Sequence, residues 1–103
     1  MPDPALERVA REDMSERMRD EYDTALNLRD DATMYEVGAN APELMEWYKD
    51  EFYGRLFYGG RVEPRVKELL RYRLSMTHGC AYCNKGNRVA AETHGVTPEQ
   101  LKW

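Results

Sequence analysis

Cys80-Ala81-Tyr82-Cys83 holds the only two cysteines of this 103-residue chain, three positions apart and directly after the breaker pair His78-Gly79. A helix-compatible run follows. The pair therefore falls at a helix start, where unsatisfied backbone N–H groups and the positive end of the helix dipole favour a thiolate over a thiol. This is the usual construction of a dithiol that cycles with its disulfide. In a reducing compartment that reading outranks a structural bridge, and the bland alternative is two small buried apolar side chains. Helix-terminus physics alone activates Cys80, the sulfur nearest the free N–H groups. His78, in the turn before it, could support a thiolate, or simply cap the preceding helix and face water. A zinc site from His78, Cys80, Cys83 and His94 follows none of the usual ligand spacings, so neither a metal nor another cofactor is expected.

Composition and charge narrow the partners. The chain is 42% hydrophobic and 33% charged, which suits one globular domain spanning residues 1–103. The start, Met1-Pro2-Asp3-Pro4, lacks an apolar signal core, and no segment approaches the roughly 18 uncharged apolar residues of a membrane span. A cytoplasmic protein without membrane partners is expected. Residues 1–54 carry 15 Asp/Glu against 6 Lys/Arg, net −9, whereas residues 55–88 carry 8 Lys/Arg against 2 Glu, net +6. The thiols thus lie in the basic third of an acidic chain. Either the two halves neutralise each other, within or between subunits, or the basic field ionises a cysteine and draws in an anionic substrate. A sequence pI near 5.2 argues against nucleic acid.

The elements that must position the cysteines all read as helices, so the fold class is all-α. Met14, Met18, Tyr22, Ala25 and Leu26 form a stripe at helical spacing, in a helix beginning at Ala5 or Ser15 and ending near Leu28. A short helix is expected over Thr33–Val37. The next runs from Pro42 to Tyr58, with Leu44, Met45, Trp47, Tyr48, Phe52, Leu56 and Phe57 on its apolar side, and Gly59-Gly60 ending it. A helix from Pro64 to about Thr77 presents Val66, Leu69, Leu70 and Leu74 inward, with Glu68, Tyr72 and Ser75 on a flank. The cysteine helix then extends to about Thr93 and is closed by His94-Gly95. Thr97-Pro98-Glu99-Gln100 reads as a capping box opening a last helix. Because that helix has barely begun at Trp103, either the chain is truncated or Trp103 packs on another subunit.

With these helices placed, Glu68-Leu69-Leu70-Arg71-Tyr72-Arg73-Leu74-Ser75-Met76-Thr77-His78-Gly79-Cys80-Ala81-Tyr82-Cys83 resembles the signature of the carboxymuconolactone decarboxylase / alkyl hydroperoxidase D superfamily. The motif is Glu, eleven residues, Cys, two residues, Cys, three residues, His. Ala90, Ala91, Gly95-Val96-Thr97 and Pro98 also sit as in that family, within a motif core at residues 62–101 that follows N-terminal helices at 5–58. The resemblance implies an alkyl hydroperoxidase D-like helical subunit, obligately oligomeric as a trimer or hexamer, with thiol-dependent peroxidase or disulfide-reductase activity. It makes Cys83 the sulfur that attacks a hydroperoxide and Cys80 the resolving partner, with Glu68 as proton acceptor or water-orienting group and a dithiol protein as reductant. One position departs from the pattern. Asn87 stands where the redox members have histidine, on the same helical face as Cys83, and an amide cannot take a proton. A weakened peroxidase is the expectation. His94 is no simple substitute, lying about 16 Å from Cys83 at about 1.5 Å per helical residue. The competing readings are a decarboxylase-like enzyme acting on an anionic small molecule, with incidental cysteines, and a non-catalytic oligomeric scaffold.

Overall fold

Ser15, not Ala5, starts the first long helix, because its side-chain oxygen accepts the Met18 backbone N–H at 3.2 Å. The computed structural model describes residues 3–103. Met1 and Pro2, which open both the expected domain and the stretch read for a signal sequence, lie outside them. Helix α1 spans Glu16–Arg29 and ends on Asp30 in the left-handed region, φ 58°. Helix α2 is Thr33–Gly38 and α3 is Pro42–Trp47, the latter with proline in its first turn as expected. Tyr48–Phe57 follows as a π-helix, α4 is Pro64–His78 and α5 is Ala81–Thr93. Single 3-10 turns occupy Arg11–Asp13 and Gln100–Lys102. No strand occurs among the described residues, so the all-α expectation holds. None of their helices is long and apolar enough to cross a membrane.

The chain divides into two compact units, Met1–Asp50 and Glu51–Trp103. The first packs Met14, Met18, Ala25, Ala32, Tyr35 and Met45 into a core, with Tyr22 against it. Four of the five stripe residues read from the sequence are thus in or against the core, and only Leu26 faces out. Gly38 permits the close approach of α3: a Cβ there would stand 2.6 Å from the Met45 sulfur.

The second unit is a helical hairpin. Gly79, at φ 68°, ends α4 in the left-handed conformation, and Cys80 caps α5 one residue later. At the far end His94 donates its backbone N–H to Ala90 and Ala91, and Gly95 turns the chain at φ 91°. The Val96 N–H then closes on the Ala91 carbonyl at 2.9 Å, the glycine-terminated helix end expected from the sequence. Thr97 and Gln100 form the reciprocal capping box, at 2.9 and 3.1 Å, but it opens only one 3-10 turn. That turn places Leu101 on Ala91 and Val96, with Leu69 and Tyr72 packed against them.

Two expectations are corrected here. Pro42–Tyr58 is not one α-helix: after Trp47 the chain continues in i→i+5 bonding, as in the Tyr58 N–H bond to the Tyr53 carbonyl. The inward face of α4 was also misassigned. Val66, Leu70 and Leu74 are 48%, 60% and 51% exposed, while Glu68 is 0% exposed and Ser75 is buried. The buried side of α4 is mixed: Glu68 and Ser75 are buried on it, and Leu69, inward as expected, packs with Tyr72 against Ala91 of α5. Ala91 is fully buried there. Replacing it by leucine overfills the space, so Ala91→Leu should lower stability by about 1–3 kcal/mol, read as a reduced urea midpoint at unchanged slope.

Candidate functional site

Cys80 and Cys83 are joined in a disulfide, with Cα atoms 5.2 Å apart. Their geometry follows from the helix start. Cys80 is the N-cap residue, extended at ψ 100°, and its sulfur accepts the Cys83 backbone N–H at 3.1 Å. A sulfur that takes the place of a capping oxygen receives the partial positive charge of the helix end. Asn87 lies one turn beyond Cys83 and is buried, as are Gly86 and Ala91 on the same helix. His78 is the last residue of α4 and is exposed.

Glu68 belongs to a second group of side chains. Its carboxylate accepts the Tyr58 hydroxyl at 2.5 Å on one oxygen and the Arg71 Nε–H at 3.0 Å on the other. Arg71 Nη2 adds a further bond to that second oxygen, so the guanidinium meets it with two donors. His94 arrives from the end of α5. Its Nδ1 is 2.8 Å from the Ala90 carbonyl and 3.8 Å from the Glu68 carboxylate, and its ring stacks on Tyr58 at 5.0 Å and 17°. A carbonyl can only accept, so Nδ1 carries a proton and Nε2 is the basic nitrogen of the neutral ring. Tyr58, Glu68, Arg71 and His94 thus meet at one end of α5, and the two cysteines occupy the other.

Of these four, only Glu68 is a site candidate from the sequence. Arg71 is legible as one of several possible partners for it, three residues on along the same helix. Tyr58 reads only as a helix end, and His94 as a cap after it is set aside as a zinc ligand and as a substitute for the histidine missing at position 87. The available signal was a histidine and a tyrosine each directly preceding a glycine at a helix terminus, where an aromatic side chain can fold back over a neighbouring helix. Among the described residues no three His, Cys, Asp or Glu side chains cluster to hold a metal ion.

Residues 42–102 match the family model described as the carboxymuconolactone decarboxylase family, a span that includes both groups. Comparison with curated proteins and with solved structures returned no match.

Burial, then the hydrogen bond to Glu68 and its negative charge, push the Tyr58 phenol up from 10.0 to about 12. A group whose folded value is raised stabilises the fold below its unfolded value and loses that contribution as pH climbs through the folded one. Alkaline unfolding should therefore steepen between about pH 10 and 12. Tyr58→Phe removes the titrating group, so its stability should fall less over that window while being lower at neutral pH. Urea midpoints of both proteins, measured across the range, check this. A wild-type profile parallel to that of the variant contradicts it.

Proposed function

Because the chain belongs to the carboxymuconolactone decarboxylase family, we propose that it acts as a thiol-dependent peroxidase or disulfide oxidoreductase cycling Cys80 and Cys83. The observation that carries this reading is the bonded cysteine pair itself, at a helix start with the Cys83 N–H on the Cys80 sulfur. A dithiol so placed has an accessible disulfide state and a sulfur whose negative charge the backbone rewards.

The cycle has three balanced steps. The Cys83 thiolate attacks the terminal oxygen of a hydroperoxide, the O–O bond breaks, and the departing alkoxide takes a proton to leave as an alcohol. Cys83 is then a sulfenic acid. The Cys80 thiolate displaces its hydroxide, which is protonated to water, and the disulfide forms. A protein dithiol reduces that disulfide by exchange, becoming oxidised itself. Cys80, as the resolving partner, is also the sulfur that the external dithiol attacks in that exchange, with Cys83 leaving as the thiolate. Asn87 orients a water or the Cys83 sulfur but carries no proton, so the peroxide step is slow relative to disulfide exchange. In this reading His78 supports the charge on Cys80 and Glu68 orders the buried side of α4.

A second reading is favoured by one specific observation: the carboxylate site is built from Tyr58, Arg71 and His94 and uses neither cysteine. It makes the protein a decarboxylase-like enzyme acting on an anionic small molecule. Peroxide consumption and exchange with a dithiol substrate separate the two. Under the thiol reading Cys80→Ser and Cys83→Ser each reduce turnover to background, and Cys80→Ser leaves a trapped sulfenic acid on Cys83. Turnover that survives alkylation of both thiols supports the second reading.

The same reading includes a homo-oligomer. Val66, Leu70 and Leu74 line the exposed face of α4 at helical spacing, an apolar strip that a second copy of the chain would cover. Leu70→Glu is expected to shift the sedimentation coefficient toward that of a monomer, and an unchanged value removes α4 from the interface.

A further inference from the structure

A ten-residue π-helix is long for a conformation that occurs mostly as single turns, and such segments tend to occur at functional sites. Tyr48–Phe57 contains no proline, and apart from Gly54 its residues are compatible with α-helix, which the sequence pattern predicts.

Three features of the second unit converge on the register. Lys67 Nζ donates to the carbonyls of Phe57 at 2.6 Å, Gly59 at 2.5 Å and Leu56 at 3.4 Å. All three ammonium protons are thus spent on the carbonyls that a helix end leaves without partners. Arg71, one turn along α4, sets its guanidinium 4.8 Å from the Phe57 ring and 5.2 Å from the Tyr53 ring. Tyr53 then lies below both Phe57, at 5.3 Å, and Tyr58, at 6.1 Å. In an α-helix a residue five positions on is rotated by about 140° from the first and could not share that side. The Tyr58 N–H closes on the Tyr53 carbonyl at 3.0 Å, the i→i+5 bond that brings them together. Finally, the Arg55 carbonyl presses so closely on Gly59 that a Cβ there would collide with it.

We infer that Lys67, together with Arg71 and Gly59, is a positioning residue that holds the Glu51–Phe57 stretch in π register and thereby delivers the Tyr58 hydroxyl to Glu68. The Lys67 ammonium bonds the backbone carbonyls on either side of Tyr58, not the Tyr58 hydroxyl or the Glu68 carboxylate. It acts on the carboxylate site entirely through the register of the segment it caps. If the stretch reverts to α bonding, the hydroxyl leaves and one Glu68 oxygen is freed to accept from another donor. This goes beyond the redox reading and holds whether or not the cysteines turn over.

The register is testable without any substitution. In isotopically labelled wild-type protein, a scalar coupling through the hydrogen bond from the Tyr58 amide to the Tyr53 carbonyl is expected. Coupling to the Gly54 carbonyl instead overturns the inference. For the role of the ammonium, the probe is the Tyr58 hydroxyl proton, a downfield resonance assigned by its absence in Tyr58→Phe. Lys67→Met should abolish it and move the Tyr58 phenol from about 12 back toward 10.0, whereas Lys67→Arg should retain both. A Lys67→Met protein that keeps the resonance and the high titration refutes the positioning role. Should that variant fail to fold, Gly59→Ala replaces it: the ammonium stays, the Arg55 carbonyl is displaced, and the same two changes are required.

Discussion

A carboxylate with no exposure to water must be compensated where it sits. The effective cost of taking such a charge out of water is several kcal/mol even after relaxation, far more than one ordinary hydrogen bond returns. Glu68 is that group, and the arrangement of residues 51–103 can be followed from its needs. Arg71 answers the charge from one turn away on the same helix. Tyr58 fills the remaining oxygen, which requires the preceding segment to end at one particular place. His94 covers Tyr58 from the end of α5, and the glycine that follows it lets the chain turn back so that Val96 and Leu101 can seal the side of Ala91. Such a pair is weak evidence for stability, because a well-packed apolar substitute often does as well.

The two chemically capable groups occupy opposite ends of α5. Cys83 and His94 are eleven residues apart, about 16 Å along the helix axis, and Asn87 lies between them on the buried face. A histidine at position 87 would bridge part of that interval with a titratable ring. An amide bridges it with hydrogen bonds only, which can orient water but cannot move charge. Residue 87 therefore offers no titratable group between the two ends. The sulfur end depends on the helix dipole and the Cys80 cap, and the carboxylate end depends on its own tyrosine, arginine and histidine.

What the sequence disclosed and what it concealed divide along the same line. Local chemistry was legible. Ser15 as a cap, Pro42 and Pro64 in first turns, Gly79 and Gly95 as terminators, and the Thr97–Gln100 box all act within a few residues of themselves. The Cys80–Cys83 pair was legible for that reason too. Hydrophobic periodicity failed on α4, where Val66, Leu70 and Leu74 form the more regular stripe yet face outward. Periodicity reports which face is apolar, and it assumes that the apolar face is the one buried within the subunit. The π register was hidden more deeply. It is imposed by Lys67 and Arg71, ten or more residues further along the chain, and nothing within Tyr48–Phe57 announces it. His94 was discounted on a correct distance to Cys83. Its partner is Glu68, which the same histidine reaches across the hairpin.

The inverted α4 has an energetic corollary. Among the described residues of the second unit, the buried apolar set is Ala91, Val96 and Leu101, with Leu69 and Tyr72 beside it. The larger aliphatic surface of its longest helix lies outside. At roughly 25 cal/mol per Å² of apolar area, covering that surface would add to what Ala91, Val96, Leu101, Leu69 and Tyr72 supply inside. Anything that binds the folded hairpin there and not the unfolded chain adds to its stability by mass action. On its inward side α4 combines a carboxylate and a serine with Leu69 and Tyr72, so the hydrophobic contribution of that side is shared with the compensation of a buried charge.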